Sequence, residues 1–154
     1  MAPAAGSDGD ALKGAAPASV LDLVRAGAYR PGPPAEMAAQ IRAVVERKLA
    51  VYERAPIWCV PELPRRTCRA LGLPPELGDA LAAACIVYHC AADVVDDAQD
   101  DDLAGNPAWA GDWRDAVTVG LYLLSAHGAM LAAIDAPAEV RAAWAQAFGE
   151  AGMG

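Results

Sequence analysis

The sequence predicts an all-α fold, a close-packed helical bundle, on three observations. Hydrophobic residues make up 55% of the 154-residue chain, enough to build a core in one domain. Much of that share is alanine, the strongest helix former, while aromatic residues contribute only 6%. Apolar positions recur at helical spacing, and no stretch alternates as a strand would.

Residues 1–35 are rich in Ala, Gly and Pro and end in "RPGPPA". They read as a disordered N-terminal arm, and residues 36–154 as the helical domain. Inside the arm lies "SVLDLVRAGAY", where Leu21, Val24 and Tyr29 fit a short amphipathic helix. It would lie frayed on the body or serve as a docking peptide for a partner.

The first strong helix covers 36–54, with Met37, Ile41, Val44, Val45, Leu49 and Tyr52 on one stripe and Pro56 beyond its end. A short helix over 63–71 stops at Gly72. The next opens on "PPEL", with proline and glutamate in the first turn where helices favour them, and runs over 75–100. At ~1.5 Å per residue it is roughly 39 Å long. Its residues 80–92 carry no formal charge and are apolar on every side, which predicts a position in the middle of the bundle. "AGNPAWAG" reads as a loop flanked by Trp109 and Trp113, followed by helices over 113–134 and from Pro137 to the C-terminus.

The net charge of −8 excludes the basic face that a nucleic-acid partner requires. The first twenty residues lack the basic-then-apolar order of a secretory signal, and the uncharged runs are too short for a bilayer. The expectation is a cytoplasmic protein with no membrane span. In that compartment Cys59, Cys68, Cys85 and Cys90 are reduced thiols. Cys85, His89 and Cys90 read as core residues rather than a zinc site, because nothing fixes four ligands in tetrahedral array. His127 reads as structural.

One segment departs from this bland pattern. "AADVVDDAQDDDL" places six aspartates within ten residues, directly after the uncharged run. Asp93, Asp96, Asp97 and Asp100 stand at offsets 0, 3, 4 and 7 and share a helix face. Carboxylates so close repel one another, and the carbonyl end of a helix disfavours anions. No run of Lys or Arg neighbours them in the chain. A divalent cation resolves the conflict, and Mg²⁺ takes hard oxygen ligands together with substrate phosphates. A solvated acidic helix end is the plainer alternative. Arg65, Arg66 and Arg69 form the one basic cluster, either a diphosphate-binding patch or a solvated face.

"DDAQD", residues 96–100, resembles the first aspartate-rich motif, D-D-x-x-D, of the trans-isoprenyl diphosphate synthase (polyprenyl synthetase) family. The flanks agree. His89 in "HCAADVVDD" stands seven residues before the motif, as a histidine often does in that family. "GDWRDAVTVGLYLL" is similar to the family's G-D-x-x-x-A-x-x-x-G-D-x-L-L stretch, and "PELPRRTCRALG" to its P-x-L…A-L-G segment. The similarity runs from about Met37 onward.

The resemblance implies an isoprenoid-synthase-like bundle, represented here by about half. It implies Mg²⁺ as cofactor, with Asp96, Asp97 and Asp100 as metal ligands and catalytic groups. An allylic prenyl diphosphate would ionise and its prenyl group would be transferred. Tyr88, His89 and Ala92, one and two turns before Asp96, would line the prenyl chain, and Arg65 and Arg66 would bind diphosphate. Two family patterns differ here. "PIWCVP" is apolar where the family has the basic G-K-x-x-R-P, and "DLAGNP" lacks the paired arginines. The family's second aspartate motif has no counterpart up to Gly154. The expected partner is therefore a second chain supplying the missing half, or another copy of this one. A non-catalytic assembly subunit and a truncated relic are the alternatives. The N-terminal arm is a further candidate, for docking to a protein shell.

Overall fold

The computed structural model describes residues 18–54, 60–100, 102–103, 109 and 111–151. All secondary structure among them is helical: α1 (Ala18–Ala28), α2 (Ala35–Arg54), α3 (Glu62–Ala70), α4 (Pro75–Gln99), α5 (Trp113–Ala133) and α6 (Ala138–Ala151).

The predicted helix ends have identifiable causes. Proline sits in the first turn of α4, where its missing N–H costs nothing. Gly72 turns the chain after α3 with a φ of +67°, a left-handed conformation that side chains resist. Asp112 caps α5 by accepting from the backbone N–H of Arg114 and Asp115, and the Asp115 carboxylate accepts from the Asp112 N–H in return. Such a reciprocal cap stabilises a helix by about 1 kcal/mol.

α4 is the central pillar and packs against α1, α2, α3 and α5. Its consecutive Ala82, Ala83 and Ala84 are all fully buried. Consecutive helical residues point about 100° apart, so neighbours surround α4 at this level. Small residues let those neighbours come close. A Cβ on Gly78 would meet the Arg65 Cα of α3 at 2.9 Å, and one on Gly120 would meet Val95 Cγ2 at 2.6 Å.

The core has two parts. The larger joins α1, α2, α4 and α5 around Ile41, Leu49, Tyr52, Ile86 and Leu123. The smaller joins α3, the start of α4, the end of α5 and α6 around Cys68, Leu81, Leu131 and Ile134.

α1 corrects the expectation of a disordered arm over residues 1–35. Val20, Leu21, Val24 and Ala28 are buried in the larger core. Arg25 grips Glu46 of α2 with two bonds of 3.0 Å, and the Tyr29 hydroxyl donates to the same carboxylate at 2.6 Å. Those bonds hold Glu46 below the usual carboxylate range. The helical domain therefore includes α1, whose apolar face is already occupied and cannot double as a docking peptide. Residues 1–17, the remainder of the arm proposed for shell docking, lie outside the described residues.

α4 and α5 are also long and apolar enough to cross a membrane, with mean hydropathies of 1.4 and 1.5 over their best windows. Counting uncharged runs misses this, because a span tolerates a few charges. The core helices of globular bundles share this composition, and α4 has such a core position here.

Candidate functional site

Over about four turns α4 leaves one stripe uncovered. Cys85, Tyr88, His89, Ala92, Asp96, Gln99 and Asp100 are half-buried or exposed, while Ile86, Val87, Cys90, Ala91 and Val94 are buried. At 100° per residue the uncovered residues fall within an arc of about 120°. The stripe begins with a thiol and an aromatic ring and ends in carboxylates.

The acidic cluster is divided. Asp93 pairs with Lys48 of α2. Asp97 is half-buried and lines a crevice of about 240 Å³ between α2 and α4, together with Arg47, Lys48 and Asp93. Asp96 and Asp100 lie on the open stripe, both exposed, and no hydrogen bond or ion pair reaches either carboxylate among the described residues. They are four residues apart, so their Cβ atoms are roughly 5–6 Å apart on an ideal helix. Asp100 also ends α4, its backbone N–H donating to the Asp96 carbonyl at 2.9 Å. The basic partner that chain proximity lacks thus comes from α2. It reaches one edge of the cluster and leaves the other open. Asp101 lies outside the described residues.

The open donor set is two carboxylates one turn apart, hard oxygen ligands of the kind that divalent cations take. Among the described residues no three His, Cys, Asp or Glu side chains converge as a metal cage. Asp96 and Asp100 fit a Mg²⁺ that keeps most of its waters and shares its remaining positions with a phosphate ligand. Asp97, turned toward α2, stands off that pair.

Arg65 and Arg66 do not join the aspartates. Arg65 bonds Glu62 at 2.5 Å and Asp79 at 2.7 Å, and Arg66 bonds Glu62 at 3.3 Å. The Glu62 pairs lie within α3, and the Arg65–Asp79 pair ties α3 to the start of α4. Asp79 and Asp96 are seventeen residues apart on one helix, about 26 Å at ~1.5 Å per residue. That distance, and the acids already holding both guanidinium groups, removes them from a diphosphate site at Asp96.

Tyr88 opens onto a second feature. A cavity of about 440 Å³ lies between α4, α5 and α6, lined by Tyr88, Leu124, His127, Leu131, Arg141 and Phe148 among others. The rings of Tyr88, His127 and Phe148 meet at centroid separations of 4.4–5.4 Å, the range in which edge-to-face contacts are favourable. His89 and Ala92 stay on the open stripe outside it. His127, Leu124 and Phe148 were not legible as site residues. Their one signal was the spacing of Leu124, His127, Gly128 and Leu131 along α5, which marks a core face as readily as a cavity wall. A larger apolar groove of about 800 Å³ runs between α1, the start of α4, the end of α5 and α6, past Leu23, Leu77, Met130 and Trp144.

Burial raises the Cys85 thiol to about 11 and the Cys90 thiol to about 12. Both are inert structural thiols at neutral pH. Cys59 lies outside the described residues. Burial also lowers His89, with Lys48 acting in the same direction. Trp109 packs on the larger core and donates its indole N–H to the Gly111 carbonyl at 2.8 Å. Trp113, by contrast, is 56% exposed. With Leu121 and Leu124 it leaves an uncovered apolar stripe on α5.

No protein-family model matches the chain, and neither a curated protein nor a solved structure matches it.

Proposed function

We propose that this chain is one part of a Mg²⁺-dependent prenyltransferase of the isoprenyl diphosphate synthase kind, completed by a second chain or a second copy. One observation carries the reading. A single open face of α4 presents His89 and Ala92, with Tyr88 at its edge turned into the cavity beside α5 and α6, followed by the carboxylates of Asp96 and Asp100, which have no partner among the described residues. An amphipathic substrate with an apolar chain and a diphosphate head has the same polarity as that face. Asp96 and Asp100 hold the cation, Tyr88 and Ala92 lie along the hydrocarbon, and Asp97 shares the α2 edge with Lys48. Bound there, Mg²⁺ would act as a Lewis acid that stabilises negative charge on a departing diphosphate. Arg65 and Arg66 have no part in the reaction.

The need for a second wall follows from the uncovered stripes. Trp113 and Leu121 are 56% and 60% exposed, and exposed apolar surface of this kind marks association surfaces. The same stripe favours a second reading, a non-catalytic assembly subunit built on these helices. Under that reading the activity of a complex survives Asp96→Ala and Asp97→Ala together.

Calorimetry separates the readings. Geranyl diphosphate titrated into the protein at saturating Mg²⁺, with the chain alone and in its assembled form, should give a binding isotherm. Asp96→Asn with Asp100→Asn should weaken it at least tenfold. Isotherms unchanged by that double substitution, or no heat in either form, would remove the prenyltransferase reading.

A further inference from the structure

The groove of about 800 Å³ between α1, the start of α4, the end of α5 and α6 has no part in the prenyltransferase reading. Its volume lies within the range of small-molecule pockets. Several elements build its wall. Leu23 of α1 is 40% exposed and Leu73, in the turn before α4, is 39% exposed, while Leu77 of α4, Met130 of α5 and Trp144 of α6 are half-buried. Apolar surface of this kind is released from water by an apolar occupant.

The charges at the groove are all of one sign. Glu76 in the first turn of α4 and Asp135 between α5 and α6 line it, and both are exposed. No hydrogen bond or ion pair reaches either carboxylate among the described residues. No Lys, Arg or His stands in the described wall. Arg141, whose guanidinium donates to the Ala136 carbonyl, lines the smaller cavity instead. An anionic ligand would meet two like charges and no counter-charge, and a neutral one would leave both carboxylates unused. A cation is attracted by both, and a low-dielectric wall strengthens that attraction relative to open water. Trp144 adds the aromatic ring that attracts an ammonium most strongly.

We propose that this groove binds a cationic amphiphile of small-molecule size, a single ammonium group on an apolar body. The hydrocarbon lies along Leu23, Leu77, Met130 and Trp144, and the ammonium is held at the acidic rim that Glu76 and Asp135 supply. Glu76 and Asp96 are twenty residues apart on α4, about 30 Å. The groove therefore stands clear of the candidate magnesium site and does not depend on it.

The test uses three probes built on one octyl chain, octyltrimethylammonium, 1-octanol and octanoate. Each is kept below its micelle concentration, at about 0.15 M salt, where charges beyond ~8 Å are largely screened. Binding to the full chain is followed at the ε-methyl resonance of Met130, which lines the groove, with Met37 in the larger core as reference. Octyltrimethylammonium should shift Met130 and leave Met37 unmoved. It should bind at least tenfold tighter than octanoate and at least threefold tighter than octanol. Glu76→Gln with Asp135→Asn should cut the preference for the cation over the anion at least fivefold. Glu36→Gln with Asp102→Asn, exposed acids elsewhere that change the net charge equally, should preserve it. Equal affinities, no binding of the cation, or a preference that survives Glu76→Gln with Asp135→Asn would overturn the proposal. A Met130 resonance that moves with protein concentration alone would assign the groove to a second copy. One that moves on removal of residues 1–17 would assign it to the chain's own first segment. Either result would also overturn the proposal. None of these readouts involves Mg²⁺ or diphosphate, so their failure leaves the prenyltransferase reading untouched.

Discussion

The placement of α1 in the core makes a quantitative prediction at Val24. This side chain is 0% exposed and sits in the larger core, whereas its neighbour Leu23 on the same helix is 40% exposed. Val24→Ala removes two methyl-sized groups, about 1.6 kcal/mol of transfer energy at ~0.8 kcal/mol each. The cavity left behind adds to this, because α4 and α5 cannot fully close it, so the loss should be about 2 kcal/mol. Leu23→Ala should stay within about 0.5 kcal/mol. A domain of this size loses about 2–4 °C of Tm per kcal/mol, so Val24→Ala should melt about 4–8 °C lower while Leu23→Ala barely moves. Thermal and urea unfolding followed by circular dichroism, with an unchanged m-value, would measure both. Removing residues 1–28 takes out Val20, Leu21 and Val24 together. At ~1.5–3 kcal/mol each this is about 5–9 kcal/mol, most of the stability of a typical domain. Equal melting of the two point variants, with a truncated chain that folds normally, would refute the claim that α1 belongs to the core.

Three further outcomes follow from other parts of the fold. Gly78→Val should destabilise by about 1–3 kcal/mol in urea unfolding, because its Cβ would press on the backbone of α3 at Arg65. The pKa of His127 is lowered in the folded state by burial, so the unfolded chain takes up its proton first as pH falls. That contribution to stability is complete above pH ~6.5 and is lost as pH drops toward the lowered folded value. His89 shifts in the same direction, and urea midpoints between pH 7.5 and 5 for the wild type and His127→Phe would separate the two. With thiols raised to about 11 and about 12, Cys85 and Cys90 should resist iodoacetamide at pH 8 until the protein is unfolded, read by peptide mass spectrometry.

The parts of the fold written in local chemistry were legible in the sequence. The α2 stripe, the proline at the start of α4 and the glycine after α3 each act within one or two turns, so spacing alone places them. α1 was harder. Eleven residues between Pro- and Gly-rich segments give a weak periodic signal, and its burial depends on α4 and α5, far along the chain. The aspartate cluster shows the same limit. Helical offsets place four carboxylates on one arc, but α2 cuts that arc in two by sending Lys48 to Asp93, forty-five positions apart in the chain. The arginines of α3 look basic and available when read alone. Asp79, fourteen residues from Arg65, claims one of them. The His127 cavity was hidden for a related reason. A histidine on an apolar face gives no hint of which nitrogen is used, and the Ala84 carbonyl settles that only once the helices are packed.

α6 is attached on one side only, chiefly to α5, through Val140, Trp144 and Phe148. A helix so held opens at a small fraction of the global unfolding free energy. Its amides should therefore exchange with deuterium well before those of α4, whose hydrogen bonds break only when the whole bundle does. Each such excursion lifts Phe148 away from the imidazole beneath it. The breathing of the last helix thus sets how often a molecule from solution can reach the interior.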